Sequence, residues 1–151
     1  MNEAKVNARL LGIDPGEKRI GISISDPSGT ISRPLLVIQF ISYAASAQQI
    51  VQLCEEKGIG QIIIGVSYDK DGNASFSGRK ALRLGEAVHT ISDIPVIYWD
   101  EYGTTRSAQR SRIQMGVKKK ERQGHLDDVA ACILLQSYID EQIMQKGREQ
   151  G

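Results

Sequence analysis

Gln61-Ile62-Ile63-Ile64-Gly65 is a short apolar run with no polar interruption in its centre. A strand of that kind has no solvent face, so it belongs inside a sheet that is covered on both sides. Its flanks agree. Upstream, Ala47, Ile50, Val51 and Cys54 recur at helical spacing, and Gly58 follows as a stop. Downstream come a polar loop, Val66 to Gly78, and a second helical stripe of Ala81, Leu84, Val88 and Ile91. Pro95 to Trp99 reads as another strand and ends in Asp100-Glu101. Strands joined through helices pair in parallel.

The first forty residues follow a different rule. Arg9 to Asp14 is a strand running into the turn Asp14-Pro15-Gly16. Arg19 to Ser25 alternates Ile20, Ile22 and Ile24 with small or polar partners, the period of a half-buried strand. After the turn Asp26-Pro27-Ser28-Gly29, a third strand spans Thr30 to Phe40, and Pro34 inside it suits a sheet edge. Connections this short make an antiparallel meander. The chain closes with a weakly amphipathic stretch, Thr104 to Met115, a basic run, and a helix from about Leu126 to Met144. The expected order is β-β-β-α-β-α-β-α, a mixed five-stranded sheet with helices on both faces, in the α/β class. Right-handed crossovers set the fourth and fifth strands beside the first, which becomes central.

A chain of 151 residues, 40% hydrophobic and 25% charged, is expected to form one domain with a core that needs no covalent staples. Cys54 and Cys132 are isolated, each in an apolar stretch and without CxxC spacing, which reads as buried thiols in a reducing compartment. Met1 to Ala8 lacks the apolar centre of a signal peptide, and no apolar run approaches the ~20 residues of a membrane span. A cytoplasmic protein is expected. The net charge of +1 identifies no partner.

In such sheets ligands bind beyond the carboxyl ends of the parallel strands. Asp14 closes the first strand, Glu101 follows the fifth and Asp127 opens the last helix, so the topology directs all three toward one sheet edge. Ala130 and Ala131 let that helix approach closely. Taken singly, Asp14 is also a common turn residue, Asp100-Glu101 an ordinary strand end, and Asp127 or Asp128 a helix N-terminal acid. Together, three carboxylates repel one another unless cations neutralise them. Mg²⁺ or Mn²⁺, hard ions that take oxygen ligands and phosphate, suit the set, and two such ions activate water against a phosphodiester.

These residues resemble a known family. Leu11-Gly12-Ile13-Asp14-Pro15-Gly16 with Lys18-Arg19-Ile20-Gly21 is similar to the opening of YqgF-type proteins, also called RuvX. Gly65 with the Asp71-Gly72 loop, Asp100-Glu101 with Thr104-Thr105, and Asp127-Asp128-Val129-Ala130-Ala131 resemble that family's later segments, over about residues 8 to 140. The resemblance implies a ribonuclease H-like fold over 1–151, with a core of about 8–142 and short polar tails. It also implies Asp14, Glu101 and Asp127 as catalytic and metal-binding acids, and a nuclease acting on Holliday junctions or on precursor 16S ribosomal RNA. Two departures stand out. Val66-Ser67-Tyr68 replaces the family's Pro-Leu after Gly-Leu, and Tyr102-Gly103 replaces Arg-Leu after Asp-Glu, which removes a bidentate phosphate binder.

Arg106, Arg110, Arg112, Lys118, Lys119, Lys120 and Arg122 crowd the segment before Asp127, with Glu121 as its one acid. Such a run is either a solvated face or the phosphate contact that the carboxylates require. Phosphate contact is the expectation for Arg106, Lys118, Lys119 and Lys120, and for Lys18 and Arg19 beside the first strand. Tyr68 offers either a stacking face for a base or an ordinary exposed ring. The loop Tyr68 to Asn73 has its glycine misplaced for an EF-hand. His125 precedes Asp127 by two residues and is either a surface histidine or an aid to proton transfer; His89 has no evident partner.

The leading expectation is therefore a metal-dependent endonuclease whose partner is RNA or DNA, with no membrane and with a homodimer where junctions are cut. The competing one is a binding module of the same fold that has lost turnover through the Tyr102-Gly103 change. An actin-like phosphotransferase would need a second phosphate-binding domain, for which the chain is too short.

Overall fold

The computed structural model describes residues 8–100 and 126–150. The elements are β1 (Arg9–Pro15), β2 (Arg19–Ser25), β3 (Ser32–Gln39), α1 (Tyr43–Lys57), β4 (Ile59–Val66), α2 (Phe76–Ile91), β5 (Val96–Asp100) and α3 (Leu126–Gln150). They form one five-stranded sheet in the order β3-β2-β1-β4-β5. β1–β2 and β2–β3 are antiparallel, whereas β1–β4 and β4–β5 are parallel. The expected mixed sheet, with β1 central, is the one observed.

The strand alternation divides the molecule. Leu11, Ile13, Ile20, Ile22, Ile24, Ile62, Ile64 and Val66 face one side and bury Ala47, Ile50 and Cys54 of α1 and Ala81, Leu84 and Val88 of α2. On the other side Ile63 meets Leu135, Tyr138 and Ile139 of α3, with Leu10, Ile97 and Trp99 packed against them. Here β1 and β2 carry little bulk. A β-carbon at Gly12 would lie 2.8 Å from Leu135 Cβ, and one at Gly65 would lie 3.0 Å from a Leu134 methyl. The intervening Gly and Ser positions thus form a shallow bed that lets α3 lie close to the backbone.

Three strands also hold α3 by hydrogen bonds. The buried Ser23 hydroxyl donates to the Ala131 carbonyl at 2.7 Å, and the Ser32 hydroxyl to the Cys132 carbonyl at 2.7 Å. The Trp99 indole N–H donates to Ser137 Oγ at 3.2 Å, while its ring meets Tyr138 edge-on. Buried and half-buried polar groups at these positions fix the helix in register as well as in depth.

Local chemistry sets the boundaries. Ser42 caps α1 by accepting from the Ala45 N–H at 3.1 Å, and Gly58, at φ 68°, ends it in the left-handed conformation. Ser42→Ala is expected to cost about 1 kcal/mol, read as a lower urea midpoint at unchanged slope. Several boundaries differ from those expected. β4 starts at Ile59, directly after Gly58, rather than at Gln61. β3 is trimmed to Ser32–Gln39 because Asp26 Oδ1 accepts from the Thr30 and Ile31 N–H groups and holds them in the preceding turn. α3 continues past Met144 to Gln150. Pro34 does occupy the edge strand, beside a register shift at Ile22/Ser23. The segment Thr104 to Met115 lies outside the described residues. Cys54 and Cys132 are free thiols, and burial pushes that of Cys54 up to about 12. Among the described residues no helix is long and apolar enough to cross a membrane.

Candidate active site

Asp14 stands near the carboxyl end of β1 on the same face as Gly12, hence on the α3 side of the sheet. Its partner in the β1–β2 ladder is Gly21. Gly21 is also where α3 touches down. A β-carbon there would overlap the Asp127 carbonyl oxygen and lie 3.0 Å from the Asp128 N–H nitrogen. The first turn of α3 therefore rests on the backbone directly beside Asp14. Asp14 and Asp127, far apart in the chain, reach one edge of one face.

Arg19 lies two residues before Gly21 and shares that face. Its Nε is 2.9 Å from Asp127 Oδ2, with the two side chains 51% and 30% exposed. This contact is an ion pair without hydrogen-bond geometry, because Asp127 Oδ2 is a buried atom that accepts no hydrogen bond. Asp128 Oδ1 is likewise buried without a hydrogen-bond partner. One of these shielded carboxylate oxygens faces the Arg19 cation and the other has no hydrogen-bond donor, and both are hard oxygen ligands of the kind that Mg²⁺ or Mn²⁺ takes. Both acids also lie in the first turn of α3, where the helix dipole favours negative charge. Among the described residues no three His, Cys, Asp or Glu side chains are grouped to hold a metal ion.

Asp100 ends β5 opposite Val66. Val96 and Tyr98 face α1 and α2, so Asp100 falls on their side and not on that of Asp14. It lines an open cleft of about 630 Å³ with Tyr68, Asp69, Lys70 and Gly72. That loop is an ordered turn. Asp69 Oδ1 accepts from the Asp71 and Asn73 N–H groups at 2.9 and 3.0 Å, Gly72 has φ 86°, and Tyr68 bridges to Ala74. Tyr68 is 38% exposed. Lys18 is exposed in the β1–β2 turn, which closes through Gly16 N–H donating to the Arg19 carbonyl at 2.8 Å.

Of the acids expected from sequence, Asp14 and Asp127 are thus brought together. Glu101 lies outside the described residues, as do Tyr102, Gly103, Arg106, Arg110, Arg112, Lys118, Lys119, Lys120, Arg122 and His125. Sequence reasoning missed Gly21 as the seat of α3. Its signal was the Ile20-Gly21-Ile22 alternation, which marks a bare spot on the face opposite the isoleucines.

The family model described as "RuvX: Holliday junction resolvase" matches residues 8–141. A "Putative pre-16S rRNA nuclease" of Acetivibrio thermocellus is 39% identical over 134 residues, covering 87% of this chain and 95% of that protein. A protein of the same name from Thermoanaerobacter pseudethanolicus is 37% identical over 135 residues, covering 89% and 97%. Among solved structures, Thermus thermophilus RuvC in complex with a Holliday junction substrate superposes with a TM-score of 0.57 at 16% identity, covering 89% of this chain and 96% of that one. The fowlpox virus Holliday junction resolvase gives 0.55 at 16%, covering 88% and 99%. At such identity these two establish the ribonuclease H-like fold alone. The ordered motifs, the sheet and the match over nearly the whole chain agree, and the chain belongs to the RuvX (YqgF) family of the ribonuclease H-like superfamily.

Proposed function

We propose that this protein is a metal-dependent endonuclease that hydrolyses phosphodiester bonds in structured nucleic acid, either precursor 16S ribosomal RNA or a Holliday-type junction. The observation that carries the reading is the meeting of Asp14 and Asp127 across Gly21. Glu101, which follows Asp100 in the sequence, is the third acid of this reading. Asp14, Glu101 and Asp127 would hold the metal, and Asp128 stands beside them. A divalent metal held there would supply positive charge that activates the attacking water and stabilises the leaving oxygen.

The chain's own contribution is positioning. Asp14 is fixed by the β1–β2 ladder, and Asp127 by the seat on Gly21 and by Arg19. Lys18 and Arg19 offer cations beside the acids, where an approaching phosphate would otherwise meet only negative charge. Arg106, Lys118, Lys119 and Lys120 add further cations in the sequence before Asp127, and the Tyr68 ring offers a stacking face on its loop. Resolution of a junction takes two cuts, so on that substrate the working unit is a homodimer.

The test is incubation of the purified protein with end-labelled precursor 16S RNA and with a four-way DNA junction, in Mg²⁺ and in Mn²⁺. Discrete products with 5′-phosphate and 3′-hydroxyl ends, abolished by chelator, are expected from one of them. Tight binding without cleavage of either would instead indicate a binding module in which the Tyr102-Gly103 change has removed turnover.

A further inference from the structure

Phe76 opens α2 and is 65% exposed, outside the apolar stripe of Ala81, Leu84 and Val88 that this helix turns to the core. Its ring has two cations near it: the Arg79 guanidinium carbon lies 5.8 Å and the Lys80 ammonium 5.3 Å from the ring centroid. The fold makes no use of that ring. Its location is informative. Ser75 caps α2, and its N–H donates to the carbonyl of Ser67, the residue after β4. Phe76 therefore stands at the carboxyl edge of the sheet, the edge on which Asp14 lies in neighbouring β1. Lys80 ties the two together, because it lines one depression with Pro15, Gly16 and Glu17, the turn that follows Asp14.

We propose that Phe76, Arg79 and Lys80 form a platform for an unpaired nucleotide beside the scissile phosphodiester, so that the preferred substrate is single-stranded next to the cut. The inference rests on the nuclease reading above and specifies which nucleic acid that site takes. An exposed aromatic ring stacks a free base whatever its sequence, and the two cations that lie over the Phe76 ring are long enough to turn to the flanking phosphates as the base docks. A duplex offers the phosphates but not the stack, because its base faces are already covered by their stacked neighbours. The acids lie on the α3 side of the sheet and the platform on the α2 side. A strand that serves both must bend over the Pro15–Glu17 turn, a path better suited to a flexible single strand than to a stiff duplex.

The experiment uses the full chain carrying Asp14→Asn, which is expected to slow cleavage enough for binding to be read, in Mg²⁺. The probes are a 2-aminopurine-labelled single-stranded oligonucleotide and the same oligonucleotide annealed to its complement, each made as RNA and as DNA. Tighter binding of the single strand than of the duplex is expected, with 2-aminopurine quenched in the complex. Adding Phe76→Ala should weaken the single strand about 5- to 150-fold, the range of one base–aromatic stack, and remove the quench. Duplex affinity should hardly change, and Phe76→Trp should restore both quench and affinity. Phe76 is exposed, so its variants are expected to melt with the parent protein. Equal effects of Phe76→Ala on single strand and duplex, or none on either, overturn the platform while leaving the nuclease reading intact. Failure of the parent protein to bind either probe overturns both.

Discussion

Asp14→Asn is expected to lower kcat/KM for phosphodiester cleavage by about three orders of magnitude while leaving the fold in place. The substitution keeps the shape of the side chain and removes its charge. A ligand that helps hold a catalytic metal is asked to supply several kcal/mol of transition-state stabilisation, and about 4 kcal/mol corresponds to a thousandfold in rate. Asp14 ends a strand whose stability comes from Leu11 and Ile13 in the α1–α2 core, and neither is disturbed. Thermal unfolding of the variant should therefore overlay that of the parent protein. The measurement is initial cleavage rate on a labelled substrate in Mg²⁺ and Mn²⁺, with both proteins purified in parallel. Cleavage that survives the substitution would assign the activity to another site or to a contaminant.

The second large effect is on assembly. Gly21→Ala adds one methyl group where the backbone of Asp127 already stands. A flexible side chain can give way to such a methyl, but a helical backbone cannot without lifting the helix. The expected cost is about 3 kcal/mol, the upper part of the range for overpacking a closed contact. That should lower the melting temperature by about 6–12 °C, at ~2–4 °C per kcal/mol for a chain of this size. Where the variant does fold, Asp127 is displaced from Asp14 and cleavage should fall with it. Gly147→Ala is the control. It sits late in the same helix with nothing within 4 Å of an added β-carbon, and should be neutral or stabilising by up to about 1 kcal/mol. Paired denaturation curves decide the matter. A Gly21→Ala protein as stable as its parent would mean that α3 does not seat on β2.

The contrast between those two glycines shows where sequence reasoning succeeded and where it stopped. The sheet was legible because two of its strands carry strong patterns: alternating isoleucines in β2 and the unbroken isoleucine run in β4. Chirality then left few ways to connect them. The face that receives α3 was less legible, because it is written in what is missing. Gly12, Gly21, Ser23 and Gly65 register in a pattern only as gaps between large residues. Their meaning depends on a helix more than a hundred residues downstream of the first of them. Ser23, which hydrogen-bonds the Ala131 carbonyl, looked like solvent-facing polarity and is fully buried.

Helix length misled for a related reason. The apolar stripe of α3 fades after Met144, yet Gln145, Lys146, Arg148, Glu149 and Gln150 all favour helix intrinsically, so the backbone continues without a core to follow. Arg19 was assigned to phosphate, and its position suits that role. Its ion pair with Asp127 depends on the seating of α3 and has no local signal. Asp100 and Glu101 formed an undivided pair in the sequence, whereas strand parity sends Asp100 toward α1 and α2.

The distance along the chain between β1 and α3 has a consequence for synthesis. A ribosome delivers the five strands and the first two helices well before the residues that cover the Gly and Ser bed. During that interval the growing polypeptide can pair its strands, but it presents Ile63, Ile97 and Trp99 uncovered and has only one half of its acidic pair. The pairing of Asp14 with Asp127 then waits until α3 has been made, and a product stopped before that helix carries an uncovered apolar face that favours aggregation.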